Sequence, residues 1–429
     1  MKPAQRQTIH PVQNISGSVR LPGDKSISHR YAMLAGMAEG QTRLENFSAA
    51  ADCASTLQCM ADLGVAVRRD GGTILIQGKG RKLSAPDKEL DCGNSGSTMR
   101  MLSGILAGQE FDSVLVGDES LTRRPMKRII EPLELMGAKA MGTGEGRPPL
   151  RIKGGKLRAI RYKPPVASAQ VKSCVLFAGL FADGETTVEE DVRTRDHGEL
   201  ALRAFGAEVQ RTRTSVSISG GQPLKGIEAY VPGDISSAAF FLCAAALFPE
   251  SNLVLDSVLL NPTRAGILDI LTAMGGSVSF LQVEQQHSEL IGTVQFRGGK
   301  LKGAKITGAQ IAGLIDELPV LAAMGPYTEE GIEIRDAREL RVKESDRISA
   351  VAQNLRAMGA QVEEFEDGLR VPGSQQLRGA AIEAIGDHRI AMAFAIAALR
   401  ATGPSEIHGA ECVAVSYPNF FGDLARLVG

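Results

Sequence analysis

The chain has 429 residues, enough for two or three domains, and its 43% hydrophobic and 23% charged residues are the balance of a globular protein rather than a disordered one. Its 48 Lys and Arg against 49 Asp and Glu leave a formal net charge of −1, which argues against bulk nucleic-acid binding but not against a local site for a small anion. The absence of Trp and an aromatic content of 4% argue against base-stacking surfaces as well.

The N-terminal MKPAQRQTIHPVQ lacks the apolar run of a signal peptide. No apolar stretch reaches the roughly 20 residues of a membrane span, so a cytoplasmic enzyme is expected. A repeat then begins. PGDKSISHR leads into an apolar helix, YAMLAGMA, a strand, TRLENF, an amphipathic helix ending in ADLGVAV, and a hairpin, VAVRRDGGTILIQG. The order returns as GNSGSTMR, MRMLSGILAG, SVLVGD and RIIEPLELMG, and again as ASAQVKS, VLFAGLFA, TTVEED and RAFGAEV. PGDISSAA, AAFFLCAAAL, NLVLDS and TAMGGSV make a fourth unit, and LIDELPV, LPVLAAMG, IEIRDA, RISAVAQNLRAMG and QVEEFEDGLRVPG a fifth. The sixth, GDHRIAM, AMAFAIAAL and SEIHGA, fades at ARLVG.

The marker glycines 64, 137, 206, 275, 359 and 429 stand 73, 69, 69, 84 and 70 residues apart. Units of this size exceed common solenoid repeats. The first helix of each unit is apolar all round and rich in Ala and Gly, so it should be buried against close neighbours. The marker glycine ends the second helix, where positive φ costs no Cβ clash. Alternation and β-branched residues define the strands. The predicted fold class is therefore α+β: two similar domains, each of three βαβαββ units. The expected boundaries are 1–21 plus 232–429 for one domain and 22–231 for the other, with hinges near 20–23 and 230–234. The segment before LPGDK is expected to pair with the second half, and a ligand to sit in the interdomain cleft.

The first helices begin with Gly or small residues followed by Ser, Asn, Asp or Gln. Ordinary capping explains the short polar residues. It does not explain Lys25, Arg30, Lys172 and Arg389, nor Gly93, Gly96 and Gly386, which would let a ligand approach bare N–H groups. Arg123, Arg124, Lys127 and Arg128 lie where a helix is expected to start, with Pro125 near its first residue. Asp196 can cap the helix after Arg193 and Arg195, and Arg341, Lys343 and Arg347 alternate with Glu344 and Asp346. P-loop, Rossmann, zincin and nucleophile-elbow patterns are absent. The six cysteines form no CxxC and read as reduced, mostly buried thiols. His388 lies at a helix start, and the other histidines read as surface or capping residues. The chemistry on offer is carboxylates with Lys and Arg.

LPGDKSISHR, GNSGSTMR, GDESLTRRPM, ASAQVKS, TRDHGE, IDELPVLA, RVKESDR and GDHRIAM, in this order, resemble the motifs of the enolpyruvyl transferases, specifically the 5-enolpyruvylshikimate-3-phosphate synthase family. The resemblance covers the chain from about Pro11 to its end. It implies two domains of inverse α/β barrel type that close on their substrates, and transfer of the enolpyruvyl group of phosphoenolpyruvate to the 5-hydroxyl of shikimate 3-phosphate with release of phosphate. It implies no metal and no organic cofactor, a monomer, and glyphosate as an inhibitor. By the matching motifs, Lys25, Ser26, Arg30, Ser168, Ala169, Gln170, Arg195, Asp316 and Lys343 would bind shikimate 3-phosphate. Lys25, Gly96, Arg124, Gln170, Arg347 and Arg389 would bind phosphoenolpyruvate. Asp316 matches the acid beside the reacting hydroxyl and Glu344 the carboxyl serving the methylene carbon, with Lys25 stabilising charge or shuttling a proton.

Two departures stand out. Ala169 is found where some members carry Ser, and Val415 where some carry Lys. The sister enzyme, UDP-N-acetylglucosamine enolpyruvyl transferase, is disfavoured. It typically has Cys five residues before the Arg matching Arg124, where this chain has Glu119, and Asn after the N-terminal Lys, where this chain has Ser26. A non-enzymatic anion- or RNA-binding repeat protein is disfavoured by the net charge, the scarce aromatics and the Asp316/Glu344 pair.

Overall fold

The computed structural model describes residues 6–428. The chain forms two compact units, one of 1–22, 232–284 and 290–429, the other of 23–231 with 285–289. Among the described residues, six of the seven small sheets, five of them four-stranded, share one local pattern: a parallel edge strand, then antiparallel neighbours; the seventh is a two-stranded parallel pair, Leu157–Arg158 with Ala182–Asp183. In the second unit, Leu90–Asp91 runs parallel to Asp112–Val116, which pairs antiparallel with Arg147–Lys153, which in turn pairs antiparallel with Lys139–Thr143. The architecture is mixed α/β.

The edge strands at the crossings are exchanged. Ser16–Arg20 precedes the helix Lys25–Met37 but pairs with Asn252–Leu259 of the first unit. Glu228–Tyr230 precedes the helix Ile235–Ala246 but pairs with Gln41–Glu45 of the second. The sixth sheet has three strands: Ser405–His408 pairs with Ala381–Glu383 and, on its other side, with the N-terminal strand Arg6–Ile9.

All six expected inner helices form: Lys25–Met37, Gly96–Ala107, Ala169–Gly179, Ile235–Ala246, Leu318–Met324 and His388–Ala398. Every residue of the Ile235 and His388 helices is buried, including the polar Ser236, Ser237, His388 and Arg389 at their starts. Small residues permit close approach: a Cβ on Gly104 would stand 2.1 Å from the carbonyl oxygen of Cys174 on the adjoining helix. Glycines 64, 137, 206, 275 and 359 end their helices with φ between +83° and +111°. Five cysteines are buried, Cys412 is partly so, and none is bridged. No helix among the described residues is long and apolar enough to cross a membrane.

Some local expectations are corrected. Pro125 is not at the start of a helix: a short helix ends at Thr122, and the next begins at Lys127 with Met126 as its cap, Met126 N–H donating to Gly146. Asp196 stands at a cap position, but its side chain makes no capping bond; Arg193 and Arg211 hold its carboxylate at 3.0 and 2.8 Å. His29 and His197 are buried rather than superficial.

Candidate active site

In the second unit the basic groups of the early motifs are oriented by partners in their own repeat, as for Lys25 and Arg124, or in another, as for Arg30 and Arg100. Lys25 starts its helix behind the Asp24 cap, and its Nζ lies 2.9 Å from the Asp52 carboxylate. Arg30, one turn on, is buried and donates to the Ser26 carbonyl and to Ser173 Oγ, both at 2.9 Å. A hydroxyl chain ties three helices together: His29 Nδ1 contacts Thr56 Oγ1 at 2.6 Å, Thr56 contacts Thr98 at 2.7 Å, and Thr98 donates to Ser95 at 2.8 Å. Burial, reinforced by the charges of Lys25 and Arg30, pushes His29 well below its ordinary value, so it stays neutral.

Arg124 is buried and donates to Asn94 Oδ1 at 2.7 Å and Ser120 Oγ at 3.2 Å. Gly96 opens the adjacent helix, and a Cβ there would lie 2.9 Å from Arg100 Nη1 and 3.4 Å from Arg124 Nη1. The glycine therefore lets two guanidinium groups come close to the start of this helix, a positively charged setting suited to an anion. Ser168 caps the helix that Ala169 begins. Gln170 accepts from Arg100 at 2.7 Å and donates to Ser97 at 2.8 Å. Arg100 also reaches the Pro125 carbonyl at 3.5 Å, so it joins the segments of Gly96, Gln170 and Arg124. Arg195 is half-buried on the loop before the helix His197–Ala204.

The first unit carries the other expected residues around one guanidinium. Arg347 begins a helix capped by Asp346 and is 1% exposed. Its Nε donates to Asp387 at 2.8 Å, its Nη2 to Glu344 at 2.7 Å, and its Nη1 to Asp316 at 3.4 Å. Burial alone would lower its affinity for a proton, but Asp387, Glu344 and Asp316 outweigh this and keep it charged. Arg389 donates to the Asp316 carbonyl at 3.3 Å, and its Nε is 3.7 Å from the Asp316 carboxylate. Lys343 lies 3.8 Å from Glu339, and burial pushes its ammonium below the ordinary value. Asp316 and Glu344 are thus bridged by neighbouring nitrogens of one arginine, with Arg389 beside them.

Several contributors escape a reading of the motifs alone. Asp387 reads as a cap, and it does cap its helix, but it also anchors Arg347. Arg341 reads as one of the alternating charges; it instead fastens the loop carrying Lys343 and Glu344, donating to Asp346 at 2.7 Å, the Phe365 carbonyl at 2.6 Å and the Glu366 carbonyl at 2.8 Å. Lys172 reads as a ligand group, yet it is buried between Glu190 and Glu199, 2.8 Å from each. Arg100 and Asp52 lie within or near the quoted motifs, but their pairings join residues far apart in sequence.

A family model described as EPSP synthase (3-phosphoshikimate 1-carboxyvinyltransferase) matches residues 9–424. The chain is 64% identical to the 3-phosphoshikimate 1-carboxyvinyltransferase of Koribacter versatilis over 421 residues, covering 98% of each chain. It is 54% identical to that of Solibacter usitatus over 420 residues, covering 98% of this chain and 99% of the relative. Among solved structures it resembles an EPSP synthase from Acinetobacter baumannii, with a TM-score of 0.88 and 44% identity over 99% of this chain and 98% of that one.

Proposed function

Because the chain belongs to the EPSP synthase family, and so is a 3-phosphoshikimate 1-carboxyvinyltransferase of the shikimate pathway, we propose that the two residue clusters divide the binding and the proton transfers of that reaction between them. Phosphoenolpyruvate and shikimate 3-phosphate are its substrates. Both are anionic, and forked guanidinium groups offset their mutual repulsion. In this reading Lys25, Ser26, Arg30, Ser168, Ala169, Gln170, Arg195 and Lys343 grip shikimate 3-phosphate. Lys25, Gly96, Arg124, Gln170, Arg347 and Arg389 grip phosphoenolpyruvate.

The 5-hydroxyl oxygen attacks C2 of phosphoenolpyruvate while its proton passes to Asp316. Glu344 delivers a proton to the methylene carbon, giving a tetrahedral ketal that keeps the phosphate. In the elimination the methyl group returns its proton to Glu344 while the proton held by Asp316 leaves with the departing phosphate, which restores the double bond, yields the enolpyruvyl ether and resets both groups. Two acid–base groups are needed, one at the hydroxyl and one at the methylene. The observation that carries the assignment is that Arg347 holds both carboxylates on adjacent nitrogens, at 3.4 and 2.7 Å. Lys25 stabilises charge near the leaving phosphate.

Phosphate release measured with phosphoenolpyruvate and shikimate 3-phosphate tests the activity. Release that depends instead on UDP-N-acetylglucosamine would overturn it. Arg124→Ala should weaken phosphoenolpyruvate binding by about 10- to 100-fold, as expected for loss of charge-assisted hydrogen bonds to a carboxylate or phosphate. Shikimate 3-phosphate affinity should change little; equal losses for both ligands in titrations would make Arg124 structural.

Lys343 supplies a pH prediction. Its charge is lost below the ordinary 10.5 because burial disfavours the ammonium. Shikimate 3-phosphate affinity should therefore fall as pH rises through a point below that value. Lys343→Arg, whose guanidinium stays charged, should move this limb upward. Superimposable alkaline limbs in binding titrations of the two proteins would remove Lys343 from the residues that bind shikimate 3-phosphate.

A further inference from the structure

The second unit buries a lysine between two glutamates, and the reaction as described uses none of the three. Lys172 is 1% exposed at its side chain, Glu199 fully buried and Glu190 nearly so, with both carboxylates 2.8 Å from Lys172 Nζ. Such a group is weak evidence for stability, because well-packed apolar residues usually serve at least as well. Its geometry is more informative. Lys172 is one helical turn beyond Ser168, and its N–H donates to the Ser168 carbonyl at 3.0 Å. Glu190 and Glu199 lie at the two ends of the segment that contains Arg195. The second oxygen of Glu190 accepts from both the N–H and the hydroxyl of Thr194, the residue before Arg195. On the same face, a Cβ on Gly198 would stand 2.6 Å from Ser173 Oγ, the hydroxyl that receives Arg30.

We propose that Lys172, Glu190 and Glu199 are positioning residues that fix the spacing between Ser168, Arg195 and Arg30, and thereby shape the seat of the substrate's 3-phosphate. This rests on the assignment above of those three residues to shikimate 3-phosphate. One ammonium clamps both ends of the Arg195 segment to the helix carrying Ser168 and Gln170. Moving either end of that segment would leave a buried charge without its counter-charge, so the ion pairs favour one arrangement of the segments they join.

The test compares two ligands that differ only in that phosphate, shikimate 3-phosphate and shikimate, by titration with Glu190→Gln, Thr194→Val and Lys172→Met proteins. Glu190→Gln should weaken shikimate 3-phosphate binding about tenfold, and Thr194→Val by less, within the usual range of coupling between contacting residues. Shikimate affinity and the KM for phosphoenolpyruvate should stay within about twofold, so the preference for the phosphorylated ligand falls. Lys172→Met leaves two buried carboxylates facing each other and could fail to fold; the two milder variants keep the comparison decisive. Equal weakening of both ligands by Glu190→Gln and Thr194→Val, or no weakening, overturns the proposal. Arg195→Ala and Ser168→Ala are measured alongside. If they lower the phosphate preference while Glu190→Gln and Thr194→Val do not, the positioning role fails and the binding assignment stands. If Arg195→Ala and Ser168→Ala leave the preference intact, the assignment itself fails and the positioning role with it.

Discussion

Asp316→Asn lowers kcat by about 10²- to 10⁴-fold, the usual weight of a positioned acid–base group, while the Kd of shikimate 3-phosphate stays within about threefold. The asparagine keeps the shape of the side chain and its oxygen near Arg347 and Arg389, which lie 3.4 and 3.7 Å from the Asp316 carboxylate. It removes the capacity to take the proton that the 5-hydroxyl must lose. Steady-state turnover and ligand titration on the same preparation separate the two effects. Turnover near that of the unaltered protein would take Asp316 out of the chemistry, and a parallel loss of binding would make it an orienting group.

The largest expected effect on stability is that of Arg347→Met. This guanidinium is 1% exposed and meets Asp387, Glu344 and Asp316. Removing it leaves those carboxylates without their shared counter-charge. Breaking a buried ion pair from one side costs about 3–5 kcal/mol. Urea denaturation should register a loss of that order, and phosphoenolpyruvate binding should weaken in whatever fraction remains folded. Arg389→Met is the useful contrast. Arg389 reaches one carboxylate, that of Asp316, at 3.7 Å rather than three, so its loss should weaken ligand binding with a smaller stability change. Equal stability losses for the two variants would show that Arg347 is not the hub of its cluster.

The element order was legible because each unit carries strong local signals. An Ala-rich helix that is apolar on every side can only be an interior helix, and Gly137 or Gly275 after an amphipathic run can only end it. The motif residues were legible for the same reason: Lys25, Gly96, Ser168, Arg347 and Arg389 stand at helix starts that the sequence marks with Asp, Ser or Gly. What the sequence hides is which charge meets which. Arg30 finds Ser173 at a separation of 143 residues, and Arg100 finds Gln170 at 70. Lys172 looks like a ligand group because a basic residue near a helix start of small polar residues reads the same whether it faces an anion or a glutamate. His197 looks superficial until Glu289, 92 residues away, arrives 2.6 Å from its ring. Asp196 has the right identity for a cap, yet two arginines take its carboxylate.

The exchanged edge strands bear on how the chain is made. The second unit, apart from the hairpin tip 285–289, comes from one continuous stretch, 23–231, and holds its closing strand Glu228–Tyr230 within it. The first unit is split. Its strand Ser16–Arg20 waits for Asn252–Leu259, and Arg6–Ile9 waits for Ser405–His408, with Arg6 opposite His408. During synthesis the second unit can therefore complete most of itself first, while Ser16–Arg20 remains without its partner until 252–259 emerges and Arg6–Ile9 until the last tenth of the chain. Contacts of such sequence separation slow folding and leave strand edges open to wrong partners. Crowding on the ribosome should thus bear hardest on the half assembled from both ends of the polypeptide.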